Sequence, residues 1–279
     1  MKLTVQAIGV LGPGLDGWAS ALPVLRGEAA LPAVATAVPP PLRLPPPERR
    51  RVGQSVRLAL AVAEQVFAQV PHAPATTASV FASSGGDGEN CDALCRSLAE
   101  DVPHASPTRF TNSVHNAPAG YWSIAAGATG PSTSVCAFDA SFAAGLLEAA
   151  IYACCEDEPV ALIAYDMLYP QPLHALRPVL APFAAALVLV PGHAASGLAR
   201  IELSGYGAGT HAAAATPALE ALRAGVPAAR CLPLLEAIAR LAPAGAGPAG
   251  VPPAGVLPAE VALEGLPGQV LRVGVSPCR

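Results

Sequence analysis

The chain has 279 residues, 52% hydrophobic and only 13% charged, with a formal net charge of −4. Its one basic cluster, Arg49-Arg50-Arg51, sits beside Glu48 and reads as a solvated helix start, which excludes the Lys/Arg-lined surface of a nucleic-acid binder. Unbroken apolar runs are short, Phe183 to Val190 being closed by Pro182 and Pro191, so no membrane span is expected where roughly 20 apolar residues would be needed.

Along the chain, "KLTVQAIGVLGPG" reads as a strand entering a Gly/Pro turn. Gln6 interrupts its apolar run and Gly12-Pro13-Gly14 ends it, so a secretory leader is not expected. "DGWASALPVLRG" reads as a short helix, capped by Asp16 and stopped by Gly27. Residues 29–47 carry two Pro triplets, which deny both a helix and a central strand, leaving an extended surface loop. From Glu48 to Val70, Val52, Val56, Leu60, Ala63, Phe67 and Val70 recur at helical spacing. "TTASVFASSGGDGEN" is a strand running into Ser83-Ser84-Gly85-Gly86. That run lacks the Lys-Ser/Thr of a phosphate-binding loop and reads as a close-packed turn. A helix is expected from about Cys91 to Glu100.

"RFTNSVHNAPAGYWSIAAGATGPSTSV" mixes small polar residues with aromatics and leads to a turn at Asp139. An Ala-rich helix over Phe142 to Cys155 follows. "PVALIAYDML", "PFAAALVLV" and "ARIELSGYGAG" read as strands, and continuous apolar strands alternating with helices imply a sheet covered on both faces. "TPALEALRAG" and "CLPLLEAIARL" read as amphipathic helices. Residues 242–268 are mostly Ala, Pro, Gly and Val and read as a loosely structured tail, and "QVLRVGV" is expected as an edge strand. There is no internal repeat.

Seven Cys form no CxxC pair and no Cys/His pattern, so no metal site is expected. Cys91 and Cys95, four apart on one helix face, read as small core residues. This cysteine usage fits a reducing cytoplasm.

Taken together, "VQAIGVLGPGLDGWASALPVLRGE", "SVFASSGGDGE", "NSVHNAPAGYWSIAAGATGPSTSV" and "IELSGYGAGTHAAAATP" resemble the N-terminal half of a β-ketoacyl synthase, a condensing enzyme of the thiolase fold. The resemblance covers roughly residues 1 to 217. It implies an α/β, thiolase-like fold with a mixed sheet covered by helices and a truncated C-terminal half. Residues 1–240 would form the synthase-like domain and 241–279 a Pro/Ala/Gly-rich tail.

In that family the nucleophilic Cys stands nine residues after the Gly of Gly-Pro-Ser. Gly130 plus nine is Asp139. A thiolate there is activated by the helix N-terminus, whereas a carboxylate is a weak nucleophile and a good helix cap. The family's catalytic His pair lies in the second half of its fold. Gly192-His193 is a Gly-His pair in a first-half loop, so that role is not carried to it. These departures resemble the chain length factor subfamily of aryl-polyene and pigment gene clusters. That implies a non-catalytic subunit, without cofactor, which pairs with an active ketosynthase, meets an acyl carrier protein through the complex and helps bound the acyl tunnel. The tunnel and interface candidates are Phe110, Asn112, His115, Asn116, Phe138 and Phe142. A chain holding half of a two-half fold should also expose apolar surface.

Other readings stand beside this one. Cys136, three residues before the turn, would be the nucleophile of a self-sufficient acyl-transfer enzyme or hydrolase, although its place on a strand predicts a buried thiol. His115, Asp139 and Ser141 could be drawn as a hydrolase triad, but Ser141 lacks a Gly-x-Ser-x-Gly setting. A third reading is an acyl-binding homodimer.

Overall fold

The first strand carries apolar residues on both faces and forms β1 (Lys2–Gly12), near the middle of one mixed sheet. The computed structural model describes residues 1–192, 194, 196–242 and 258–278. Among these, β3 (Ala78–Ala82), β4 (Ser132–Val135), β5 (Val160–Asp166), β6 (Phe183–Pro191), β7 (Ala199–Ala208), β8 (Ala259–Glu264) and β9 (Gln269–Ser276) join β1 in the order β4-β3-β5-β6-β1-β7-β9-β8. The short β2 (Leu15–Asp16) pairs back onto β1. β4, β3 and β5 run parallel, and every other pairing is antiparallel.

Side chains on the central strands alternate between two cores. On β5, Val160, Leu162 and Ala164 face one layer, and Ala161, Ile163 and Tyr165 face the other. Burial on both faces requires helices on both. α3 (Gln54–Phe67) and α6 (Ala117–Ala126) cover one side. α1 (Trp18–Leu25) and α7 (Ser141–Glu156) cover the other, where α10 (Leu232–Leu241) packs on β8 and β9. On β1 the alternation slips, because its pairing with β6 shifts register between Val5 and Ala7. Leu3, Val5, Ile8 and Val10 therefore share one core while Ala7 and Leu11 face the other. Gln6, at the bulge, meets His72 Nε2 through its side-chain oxygen at 2.6 Å.

α7 packs tightly on the sheet. Its Ala143, Leu146, Ala149, Ala150 and Ala153 are buried, and Gly145 admits the contact: a Cβ there would stand 2.8 Å from Ala82 Cβ and 2.9 Å from Leu162 Cδ1. Phe142 and Leu146, essentially fully buried, each contribute about 1.5–3 kcal/mol of apolar burial. The stretch Phe138–Glu156 is 19 residues long with mean hydropathy 1.3, enough by length and composition to cross a membrane. Counting only unbroken apolar runs passes it over. Half of it is buried, and α7 packs on β3 and β5 as a core helix does.

Several local expectations are corrected. Asp16 caps nothing: it lies in β2, and Gly17 precedes α1 without a side-chain cap. The helix expected over 48–70 is two, α2 (Pro46–Arg49) and α3, parted near Gly53. Cys91 and Cys95 are exposed, because α4 (Gly88–Leu98) packs on α5 (Pro107–Asn112) at the periphery rather than on the sheet. The strand expected at an edge is interior, since β9 sits between β7 and β8. β8, hidden in Ala/Pro/Gly/Val-rich sequence, forms that edge and turns Val261 and Leu263 inward. The two helices of residues 217–241 form as expected, as α9 (Pro217–Gly225) and α10, joined by a 3₁₀ turn (Pro227–Cys231).

Candidate functional site

β4 ends at Val135, and the chain then turns sharply into α7 through a 3₁₀ turn (Phe138–Ala140). The elbow is real, and its strained residue is Phe138, at φ 53°. A bulky side chain in the left-handed region is costly and persists only where its surroundings hold it. Ser141, fully buried, closes the turn by donating to the Phe138 carbonyl at 2.6 Å and accepting the Ala137 N–H at 3.0 Å. The Arg177 guanidinium lies 3.4 Å over the exposed Phe138 ring and also pairs with Asp139, Nη2 to Oδ1 at 2.9 Å.

Asp139 is not the helix cap expected of it. α7 begins two residues later, after Ala140, without a side-chain cap. The left-handed step at Phe138 places Asp139 inside the 3₁₀ turn, and its carboxylate faces two guanidinia instead. Arg177 takes Oδ1, and Arg230 takes Oδ2 at 3.2 Å. The charges continue inward: Arg230 also pairs with Glu264, Glu264 with Arg223 at 3.1 Å, and Arg223 with Glu220 at 2.7 Å. The Arg223 side chain is almost wholly buried, and its hydrogen bonds hold the Glu220 carboxyl down at about 2. Three guanidinia thus alternate with three carboxylates beside the elbow. A cavity of about 330 Å³ opens there, lined by Phe138, Asp139, Gly209, His211, Glu264 and Leu266. His211 Nε2 stands 3.7 Å from Glu264.

Among the described residues, neither Cys136 nor Ser141 at the elbow is hydrogen-bonded to an imidazole or a carboxylate. Asp139 is matched by two cations, which binds its electron pairs rather than freeing them to attack. Ser141 spends its hydroxyl on the turn, and no hydrogen bond joins it to His115 or Asp139, so the drawn triad does not assemble. Cys136 is exposed, not buried as its strand position predicts. It follows the last paired residue of β4, the edge strand, where no neighbouring strand covers it. Its Sγ donates to the Ser84 carbonyl at 3.3 Å.

The Gly-rich loop behind the elbow is a tight turn, as read from the sequence, and it is anchored by a buried carboxyl. Asp166 Oδ1 accepts from the Ser84 hydroxyl at 2.7 Å, the Ser84 N–H at 2.9 Å and the Ser83 hydroxyl at 3.2 Å. Burial raises the Asp166 pKa to about 6, against the lowering effect of these donors.

The remaining candidates disperse. His115 meets the Ser83 carbonyl at 3.2 Å, beside the Gly-rich loop. Phe142, in the first turn of α7, is buried in the core, and Asn116 is exposed at the start of α6. Phe110 is exposed on α5. Asn112 is buried and donates to the Arg51 carbonyl at the wall of a second cavity, away from the elbow. His193 lies outside the described residues. Sequence reasoning missed Arg177, Arg230, Glu264 and His211, which sit in unremarkable stretches and reach the elbow only through folding. Around Arg177, which follows the short α8 (Leu173–Leu176), Leu173, Leu176 and Leu180 are exposed, Leu176 to 85%.

Comparison with known proteins gives this elbow its context. The family model of the β-ketoacyl synthase N-terminal domain matches residues 26–231. No curated protein matches the sequence. Among solved structures, a chain from a ketosynthase (ApeO) in complex with its chain length factor (ApeC) from Xenorhabdus doucetiae is 20% identical, with a TM-score of 0.70, covering 98% of this chain and 99% of that one. A chain of the ishigamide ketosynthase/chain length factor is 16% identical, with a TM-score of 0.74 and complete coverage of both chains. The ketosynthase from module 6 of the bacillaene synthase from Bacillus subtilis 168 is 12% identical, with a TM-score of 0.67, covering all of this chain but 71% of its own. Such identities speak to the fold, which is thiolase-like, while the family match spans most of the sequence: this chain belongs to the β-ketoacyl synthase family through its N-terminal domain.

Proposed function

We propose that this protein is a non-catalytic chain length factor: a subunit that pairs with an active β-ketoacyl synthase in fatty-acid- or polyketide-type synthesis, of the aryl-polyene kind, and helps shape the acyl tunnel. The observation that carries the reading is Asp139, nine residues after Gly130 and ion-paired with both Arg177 and Arg230, which supports a structural carboxylate where the resembled family counts its nucleophile. The end-to-end likeness to chains of ketosynthase/chain length factor complexes supports it. So does the exposed apolar surface beside the elbow, formed by Phe138, Leu173 and Leu176, which suits burial against a partner subunit. An acyl carrier protein would meet the complex rather than this chain alone; a related ketosynthase has been solved with its carrier. The free thiols suit a reducing, cytoplasmic setting.

Coexpression with the cognate ketosynthase, purified through a tag on one subunit, tests the reading. A stable heterodimer whose product length changes with Phe138 variants is the expected outcome. A ketosynthase that never copurifies and keeps its product range alone refutes it.

A second reading, acyl transfer through Cys136, draws on the exposure of that thiol. Against it, Cys136 hydrogen-bonds only to a backbone carbonyl, and no imidazole pairs with it among the described residues. Intact-mass measurement after incubation with acyl thioesters separates the two: an adduct on Cys136 that turns over supports the second reading.

A further inference from the structure

We propose that the cavity between α3, α4 and α5 is a binding site for a small molecule carrying a phosphate-type oxyanion. The cavity measures about 350 Å³, within the range that small ligands occupy, and lies apart from the elbow. Arg51, Arg57 and Arg109 line it. Arg51 pairs with Glu48 at 3.1 Å, but among the described residues no carboxylate pairs with the Arg57 or Arg109 guanidinium. The Arg57 Nε–H is buried at this cavity without a protein acceptor, so a bound oxyanion could accept from it without displacing an existing contact.

The surroundings are built to hold these cations. Asn112, 3% exposed, donates its Nδ2 to the Arg51 carbonyl at 2.7 Å, and Asn90, 8% exposed, donates to the Arg109 carbonyl at 2.7 Å. Two buried amides therefore fix the backbone under two of the three arginines. Asn112 Oδ1 is also buried without a partner at the cavity wall, which leaves an acceptor for a hydroxyl or amide N–H of the ligand.

Two acids share the lining. Asp87 is already engaged, its Oδ1 by the Asn90 N–H at 2.9 Å and its Oδ2 by the Ser55 hydroxyl at 2.8 Å. Glu89, exposed in the first turn of α4, is unengaged and repels an anion. The choice of phosphate over carboxylate follows from shape. A carboxylate brings one charge and two coplanar oxygens, whereas a tetrahedral dianion brings more charge and oxygens in several directions to guanidinia carried on different elements.

Isothermal titration of the full chain at low ionic strength with inorganic phosphate, pyrophosphate and acetate tests this. The expected result is saturable one-to-one binding of phosphate or pyrophosphate, with acetate far weaker. Arg57→Gln and Arg109→Gln each weaken it by about tenfold or more, and Glu89→Gln strengthens it. Arg109 is exposed, so its variant folds even if Arg57→Gln does not, and Arg272→Gln on β9 controls for general charge. Absence of saturable binding, equal affinity for acetate, or affinity indifferent to Arg109→Gln overturns the proposal.

Discussion

Asp166 makes stability depend on pH in a direction opposite to that of most carboxylates. It is buried under the Gly-rich loop, and its pKa is raised from 3.8 to about 6, chiefly by burial. A raised carboxyl favours the protonated form in the fold, so its contribution to stability is full below the unfolded pKa. It is lost as pH climbs through the folded value. Each pKa unit is about 1.4 kcal/mol, and two sites of about 3.8 and 6 differ by about 1.4 kcal/mol in their linkage contribution between about pH 5 and pH 8. Asp166→Asn keeps an oxygen to accept from Ser83 and Ser84 and carries no charge at any pH. The Ala228 backbone lowers the pKa but makes no well-formed hydrogen bond to Oδ2, which is buried without a partner, so the new amide displaces no strong contact. Urea denaturation of wild type and Asp166→Asn across this range is the assay. The variant should gain about 1.4 kcal/mol relative to wild type from the low to the high end. Parallel curves, or a gap that widens the other way, would refute the reasoning.

Other substitutions test the elbow and its support. Gly145→Ala should destabilise by about 1–3 kcal/mol through overpacking against Ala82 and Leu162, although alanine is the better helix former; a raised melting temperature would contradict this. Arg177→Ala removes both the Phe138 stacking and one Asp139 pairing, at an expected cost of about 1–2 kcal/mol, and should raise protease sensitivity around the elbow in limited digestion. Asp139→Cys should create a thiol between two guanidinia that alkylating reagents label faster than Cys136, without gaining condensing activity, because among the described residues no imidazole pairs with Asp139; turnover by the lone variant would refute this.

Periodicity was enough for the layered sheet. The runs 160–165 in β5 and 183–190 in β6 are apolar or aromatic at every position, and only a strand covered on both faces can bury that. The elbow, too, could be placed by counting from Gly130 to Asp139, since a strand, a turn of small residues and an Ala-rich helix are local patterns. What the sequence could not supply was the company those residues keep. Asp139 looked like a cap because capping depends on near neighbours, but ion pairing with Arg177 and Arg230 depends on loops that meet only in the fold. Cys136 and Cys91 looked buried because cysteine is a small apolar side chain, yet exposure is set by what covers an element. An edge strand and a peripheral helix have no cover here. β8 was lost for a related reason: its alternation runs over only Glu260 to Glu264 and follows an Ala/Pro/Gly-rich stretch, and its pairing with β9 makes it a strand. Local chemistry thus determined which elements form, and long-range packing decided which side chains meet, because the partners of a charge or a thiol are chosen by the fold and not by the chain's order.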